Sequence, residues 1–373
     1  MKSTKIAIFS VSAGAGHVRA AQAIEKAAKL LGTDITAVHL DLMEIVPDLF
    51  KKLYADSYLK IVEHHPDLWG YLYRKADREK PDSLINKIRK AFQRLNTSQL
   101  DETIASLAPD VVICTHFLPA ELLSRMIEKG EFDKKVWVQV TDYDVHAMWI
   151  HPNMSGYFTG NAEVAFRLID RGIPAERVHV TGIPIDPVFS EKLSRADCAS
   201  ESGISPDKFT ILMMAGGAGL GALEELVERM VSIPGDFQVI ALAGKNLEML
   251  EKLTALKSKY PEKLYPVGFT KTIEKLMAAS DLAITKPGGL TTSECLATGL
   301  PMILVSPIPG QEERNADYLL EGGAALKACD APALEYRLRF LLNNRQKLAE
   351  MREKAISIAH PKAAESVLKN VLG

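Results

Sequence analysis

TKPGGLTTSECLATGLPMILVSPIPGQEERNADYL, residues 285–319, is the stretch on which the reading of the fold turns. An apolar strand, DLAIT (281–285), breaks at Lys286 and Pro287, and Gly288 and Gly289 open a turn. Thr291, Thr292 and Ser293 stand at a helix start, with Glu294 one turn in. A second short apolar run, PMILVS (301–306), then leads into PIPGQEERNA. Strand, glycine turn, helix and strand in succession predict a parallel sheet covered by helices. In such sheets ligands sit beyond the carboxyl ends of the strands, where Glu294 can accept both hydroxyls of a ribose. Gln311 and Glu312 can reach the hydroxyls of a sugar, and Asn315 begins or caps the following helix. A carboxylate that merely caps a helix would explain Glu294 alone. It would not explain the Gly-Gly before it and the Gln-Glu after it.

The same rhythm runs through the chain. IAIFSV (6–11), VVICTH (111–116), VWVQVT (136–141), VHVTG (178–182), FTILMMAG (209–216) and FQVIALAG (237–244) read as buried strands. The helical stretch AAQAIEKAAKLLG (20–32) stops on Gly32. Strand, glycine turn and helix occur at 6–31 and restart at 209–230, which predicts two similar sheets. A length of 373 residues suits two domains. The proline-bearing stretch 181–210 reads as their linker, giving domains at 1–190 and 191–355. A last helix within 356–373 could pack back on the first domain.

Two turns carry chemistry. In SAGAGHVRAAQAI (12–24), Gly14 and Gly16 let the backbone turn sharply, and His17 follows at the helix start. A dinucleotide fingerprint would have a third glycine where Arg19 stands, so that reading is weakened. A helix N-terminus lowers the pKa of an imidazole placed there, and a neutral imidazole is what a general base must be. In MMAGGAGLGALEEL (213–226), Gly216, Gly217 and Gly219 can present backbone N–H groups to a diphosphate. His116 and Asp142 each follow a strand, so either can hydrogen-bond an acceptor, and Asp142 is a second candidate base. His146 and His151 stand near Asp142 at spacings close to those of metal ligands. No sustained ligand cluster follows, and no metal site is expected.

Composition narrows the classes. A net charge of -2 gives no bias toward nucleic acid. The four cysteines form no CxxC pair and suit reduced thiols in a cytoplasmic protein. The apolar stretch at the N-terminus is too short for a signal peptide, and nothing approaches the roughly 20 apolar residues of a spanning helix. Residues 45–95 break the strand rhythm and are rich in aromatics, Trp69 among them. Within 71–95, eight Lys/Arg and three Asp/Glu give a net of +5. There Leu84, Ile85, Ile88, Ala91, Phe92 and Leu95 fall on one helical arc, with Lys87, Arg89, Lys90 and Arg94 on much of the rest. That pattern suits either an ordinary surface helix or one lying on an anionic membrane surface, and the neighbouring aromatics favour the membrane.

These motifs together resemble a known family. SAGAGHVRAA (12–21), CTHFLPA (114–120), TDYDVHAMWIHP (141–152) and GIPIDPVF (182–189) are similar to the monogalactosyldiacylglycerol synthases and processive diacylglycerol glucosyltransferases. PGGLTTSECLATGLP (287–301) and PGQEERNA (309–316) resemble the donor signature they share with the peptidoglycan-precursor N-acetylglucosaminyltransferase. The resemblance implies an α/β GT-B fold, two Rossmann-like domains facing a central cleft. It implies inverting transfer of glucose or galactose from UDP-glucose or UDP-galactose to diacylglycerol or a related lipid, with no cofactor and no metal. On the donor side it assigns Gly216, Gly217 and Gly219 to the diphosphate, Phe269 to uracil and Glu294 to ribose. Gln311 and Glu312 take the hexose, within a site that also holds Gly288, Gly289, Thr291, Thr292 and Asn315. The base is His17 or Asp142, and the acceptor side includes Gly16, His116, His146 and Trp69. The expected location is cytoplasmic, peripheral on the inner face of the cell membrane. Three other readings stay open: a UDP-GlcNAc-dependent transferase acting on a polyprenyl-linked acceptor, a nucleotide-sugar 2-epimerase of the same fold, and a non-enzymatic UDP-sugar sensor.

Overall fold

Ile6 lies opposite Val111 and Phe9 opposite Cys114 where β1 (Thr4–Ser10) pairs in parallel with β3 (Val111–Cys114). All four side chains are buried. A strand covered on both faces needs an unbroken apolar run, which is what these segments carry. The computed structural model describes residues 3–12, 14–32, 34–47, 51, 98–214 and 223–373. Trp69, the aromatic and basic stretch 52–95, and Gly216, Gly217 and Gly219 lie outside the described residues.

The chain divides into two units. The first is Met1–Pro187 with Ile308–Arg314 and His360–Gly373, and the second is Val188–Pro307 with Asn315–Ala359. In the first, β2 (Ile35–Asp41), β4 (Lys135–Gln139), β5 (Gly156–Thr159) and β6 (Val178–Val180) complete a six-stranded parallel sheet with order β2-β1-β3-β4-β5-β6. In the second, β7 (Phe209–Met214), β8 (Phe237–Gly244), β9 (Leu264–Gly268), β10 (Leu282–Thr285), β11 (Met302–Val305) and β12 (Ala325–Ala328) form another, ordered β12-β11-β10-β7-β8-β9. Strand order reverses at β1/β3 in one sheet and at β7/β10 in the other. Those reversals open the crevices where doubly wound sheets take ligands.

Four strands go beyond the sequence reading. β2 sits at a sheet edge and carries Thr36 and His39 among its apolar residues. β9 contains Pro266 and also lies at an edge, the position a sheet allows proline. β5 and β12 are four residues each, and β12, ALKA, has no β-branched side chain.

Small residues set the packing of the first unit. Helix Ala15–Leu31 buries Ala20, Ala21, Ile24, Ala27 and Ala28. Ala21, Ile24, Ala27 and Ala28 of that stripe join one apolar cluster with Ala364, Val367, Leu368 and Val371 of the C-terminal helix Ala363–Leu372. Gly182 has φ +87°, and a Cβ there would stand 2.2 Å from His360 Cβ. Only glycine lets the two chain segments pass so closely. In the second unit, Arg195 grips Asp281 through both terminal nitrogens, at 3.0 and 2.8 Å. Asp281 also accepts from the Thr210 backbone N–H at 2.9 Å, which ties helix Arg195–Glu201 to the start of β7.

Candidate active site

His17 enters the β1/β3 crevice because of the backbone before it. Gly14, the residue ahead of helix Ala15–Leu31, has φ 151° and ψ 149°, a region that glycine occupies and other residues avoid. The helix therefore starts abruptly beyond β1, and half-buried Gly16 and His17 fall in its first turn. The His17 Nδ1 lies 2.9 Å from the Thr115 carbonyl oxygen and 2.9 Å from Thr141 Oγ. A carbonyl only accepts, so Nδ1 carries the hydrogen and Nε2 keeps the lone pair. Burial pulls the imidazole down to about 4, against the opposing effect of the Thr115 hydrogen bond. At neutral pH the ring is uncharged and basic at Nε2.

His116 holds the opposite tautomer. Its Nδ1 accepts from the Leu118 backbone N–H at 3.1 Å and so caps helix Phe117–Glu128. The ring is fully buried, and burial together with neighbouring His17 keeps it well below the ordinary imidazole range. The His17 and His116 rings meet edge to face with centroids 4.5 Å apart. Trp149 stands 6.1 Å from His17 and 6.3 Å from His116, and Phe117 4.1 Å from His116. His146 helps deliver Trp149, since its Nδ1 accepts from Met148 N at 3.2 Å and caps the short turn Ala147–Trp149. His151 faces elsewhere, 3.5 Å from a Glu121 carboxylate oxygen. Among the described residues no group of three or more His, Cys, Asp or Glu is placed to hold a metal ion.

Asp142, buried beyond β4, accepts from Gln311 Nε2 at 2.5 Å, both residues belonging to the first unit. Glu312 and Glu313 turn back on their own loop and accept from the backbone N–H groups of Ile308, at 2.7 Å, and Gly310, at 2.9 Å. These carboxylates start helix Gln311–Glu321 early. Asn315 is therefore fully buried one turn inside the helix and does not begin or cap it, which corrects the sequence reading.

In the second unit, helix Gly289–Ala297 starts directly after β10 and Gly288. Its first N–H groups have no partner within the helix and form an anion-binding end. Thr292 is buried and its hydroxyl lies 2.9 Å from the Gly288 carbonyl and 3.1 Å from that of Gly289, so it serves the first turn. Thr291 is the more open of the pair. Glu294 is 1% exposed, a carboxylate held inside the helix–sheet layer. Phe269, just beyond β9, is 60% exposed with the Lys245 ammonium 5.3 Å from its ring centre. An exposed aromatic face suits stacking by a planar ring.

The first-unit site thus holds a neutral imidazole with its Nδ1–H anchored, set among aromatic rings. Such a group accepts a proton in apolar surroundings. Thr115, Thr141 and Trp149 are the members that sequence reasoning missed, although CTHFLPA and TDYDVHAMWIHP contain all three.

Residues 17–185 match the family model for monogalactosyldiacylglycerol (MGDG) synthase, and residues 210–367 that for the glycosyltransferase family 28 C-terminal domain. The chain is 31% identical to a processive diacylglycerol beta-glucosyltransferase of Bacillus cereus, covering 100% of this chain and 94% of that protein. A second so named, from Bacillus anthracis, is 30% identical with the same coverage. Among solved structures, Acinetobacter baumannii MurG superposes with a TM-score of 0.65 at 19% identity, over 99% of both chains. The S. aureus MnaA–UDP complex superposes with 0.67 at 13% identity, over 99% of this chain and 96% of that one. These structural likenesses establish the fold as GT-B, each unit a Rossmann-like α/β layer.

Proposed function

Because the chain belongs to the family of monogalactosyldiacylglycerol synthases and processive diacylglycerol glucosyltransferases, we propose that it moves a hexose from a UDP-sugar to diacylglycerol by inverting displacement. The chain is a glycosyltransferase of this family, and the full-length likeness to a diacylglycerol glucosyltransferase is the observation that carries the substrate class. The donor is glucose- or galactose-bearing UDP, and no cofactor or metal takes part.

In this reading His17 Nε2 takes the proton from the acceptor hydroxyl. The freed oxygen bonds to the anomeric carbon, and the bond from that carbon to UDP breaks with its electron pair on the β-phosphate. The N-terminus of helix Gly289–Ala297, aided by Thr291, faces the growing charge with backbone N–H groups. Glu294 holds the ribose, Phe269 stacks on uracil, and Gln311 and Glu312 read the hexose. Gly216, Gly217 and Gly219 contribute N–H groups to the diphosphate. His17 is preferred to Asp142 as the base because Asp142 already accepts from Gln311. A base contributes about 100- to 10,000-fold, so positioning and charge stabilisation supply the larger share.

The location proposed is peripheral, on the cytoplasmic face of the membrane. No helix among the described residues is long and apolar enough to cross a membrane. The +5 stretch at 71–95 supports docking on anionic lipid. Cosedimentation with anionic vesicles tests this, and charge reversal at Lys87, Arg89, Lys90 and Arg94 should abolish it. The chemistry is tested by the proton NMR spectrum of the lipid product. A β-hexoside formed from the α-linked donor supports inversion, whereas an α-hexoside excludes it. Free epimerised UDP-sugar without lipid product would favour the epimerase reading.

A further inference from the structure

We infer that Thr141 is a positioning residue which, with the Thr115 carbonyl, holds the His17 imidazole in the tautomer whose Nε2 is the proton acceptor. The inference rests on the base role proposed for His17. Two oxygens lie 2.9 Å from His17 Nδ1, one on the residue following β3 and one just beyond β4. The ring is thus clamped from two neighbouring strands and not by its own helix. The Thr115 carbonyl and Thr141 Oγ face the same Nδ1 hydrogen, and the two acceptors together hold the Nδ1–H tautomer.

The two threonines divide the work. The Thr115 hydroxyl donates to the His17 carbonyl at 2.9 Å and lies 3.3 Å from the Phe9 carbonyl, so it fixes the backbone that carries the ring. Thr141 alone of the two acts on the imidazole through its side chain. Both residues are buried, so water does not readily replace a lost hydroxyl.

The consequence appears when the proton moves. As Nε2 takes the acceptor's proton, positive charge spreads to Nδ1–H. In a serine-protease triad a carboxylate faces that hydrogen. Here two neutral oxygens do so, which stabilises the imidazolium less than a carboxylate would, and burial separately lowers the basicity of His17. Removing one of them should raise the barrier to proton transfer without touching donor binding.

The test uses the full chain with nitrogen-15-labelled histidine, comparing Thr141→Val, Thr141→Ser and Thr141→Ala. His17→Gln assigns the His17 resonances and separately tests its role as base. In the wild type the long-range proton–nitrogen spectrum should show His17 as the Nδ1–H tautomer. Thr141→Val leaves only the Thr115 carbonyl to hold the hydrogen, so it should raise the minor Nε2–H tautomer measurably and lower kcat roughly ten- to hundredfold, with donor KM within about twofold. Thr141→Ser should restore the tautomer and return kcat to within about threefold of wild type. A merely structural role would lower the melting temperature of Thr141→Val and leave the tautomer alone. Should Thr141→Val fail to fold, Thr141→Ala reads the same two quantities. An unchanged His17 tautomer in the folded variants overturns the inference, whatever happens to the rate. If His17→Gln keeps full activity while Thr141→Val shifts the tautomer, the positioning stands and the base role falls.

Discussion

His17 Nδ1 lies 2.9 Å from the carbonyl oxygen of Thr115, a residue 98 positions away, so the sheet decides which imidazole nitrogen is basic. If Nε2 is the base, His17→Ala should lower kcat by about 100- to 10,000-fold while donor KM changes little. Transfer from labelled UDP-sugar to diacylglycerol in vesicles measures both. Asp142→Asn separates the two base candidates. Its expected effect falls on donor KM, through Gln311, and a loss of kcat equal to that of His17→Ala would move the base to Asp142.

The pH profile follows from burial. His17 is drawn from 6.5 to about 4, so the base is already uncharged at pH 6. The acidic limb of kcat/KM should therefore fall near pH 4, and a limb near 6.5 would contradict the site as described. Stability carries the same sign. The unfolded chain binds the proton first, so the folded state loses stability as pH drops from 6.5 toward 4. His116, also held low, adds in the same direction. Denaturant midpoints measured across that range read the slope.

Glu294 is nearly without exposure in helix Gly289–Ala297, where an ionisable side chain needs a reason to be. If that reason is ribose, Glu294→Gln keeps the shape and loses charge-assisted hydrogen bonds. Donor KM should rise about tenfold or more with a smaller change in kcat. Calorimetric titration with UDP gives the same comparison without turnover, and equal affinity in the variant would remove the ribose role.

Much of the architecture could be read from the chain. Buried strands such as FQVIALAG announce themselves by nearly unbroken apolar runs, and Gly32 ends its helix at φ 131°, a backbone conformation that glycine takes readily. β5, GYFT, and β12, ALKA, could not be read, because they lack the unbroken branched apolar run that marks the equally short β3 and β11. His17 stood out through its glycines, but its partners did not. Thr115 and Thr141 lie 98 and 124 positions away, and only the neighbouring order of β1, β3 and β4 gathers them. His116 showed as a strand-end histidine, whereas its capping of Leu118 N depends on a ring rotamer that sequence does not encode. Asn315 was misplaced because two glutamates start the helix before it.

Gly182 offers a test of the packing of the first unit. An alanine there meets a positive φ and would drive its Cβ to 2.2 Å from His360 Cβ. Strain and overpacking together should cost roughly 2–5 kcal/mol. A lowered thermal midpoint is the expected result, with proteolysis beginning near the C-terminal helix. An unchanged midpoint would mean that residues 182 and 360 do not pass so closely.

The most direct measurement of the central claim is label transfer. The purified chain is mixed with vesicles containing diacylglycerol and with UDP-glucose or UDP-galactose labelled in the sugar, and the lipid phase is analysed by mass. The account predicts a hexosyl diacylglycerol from at least one donor, with one UDP released per hexose transferred. Labelled lipid absent with both donors, or UDP released at the same rate without diacylglycerol, would contradict it.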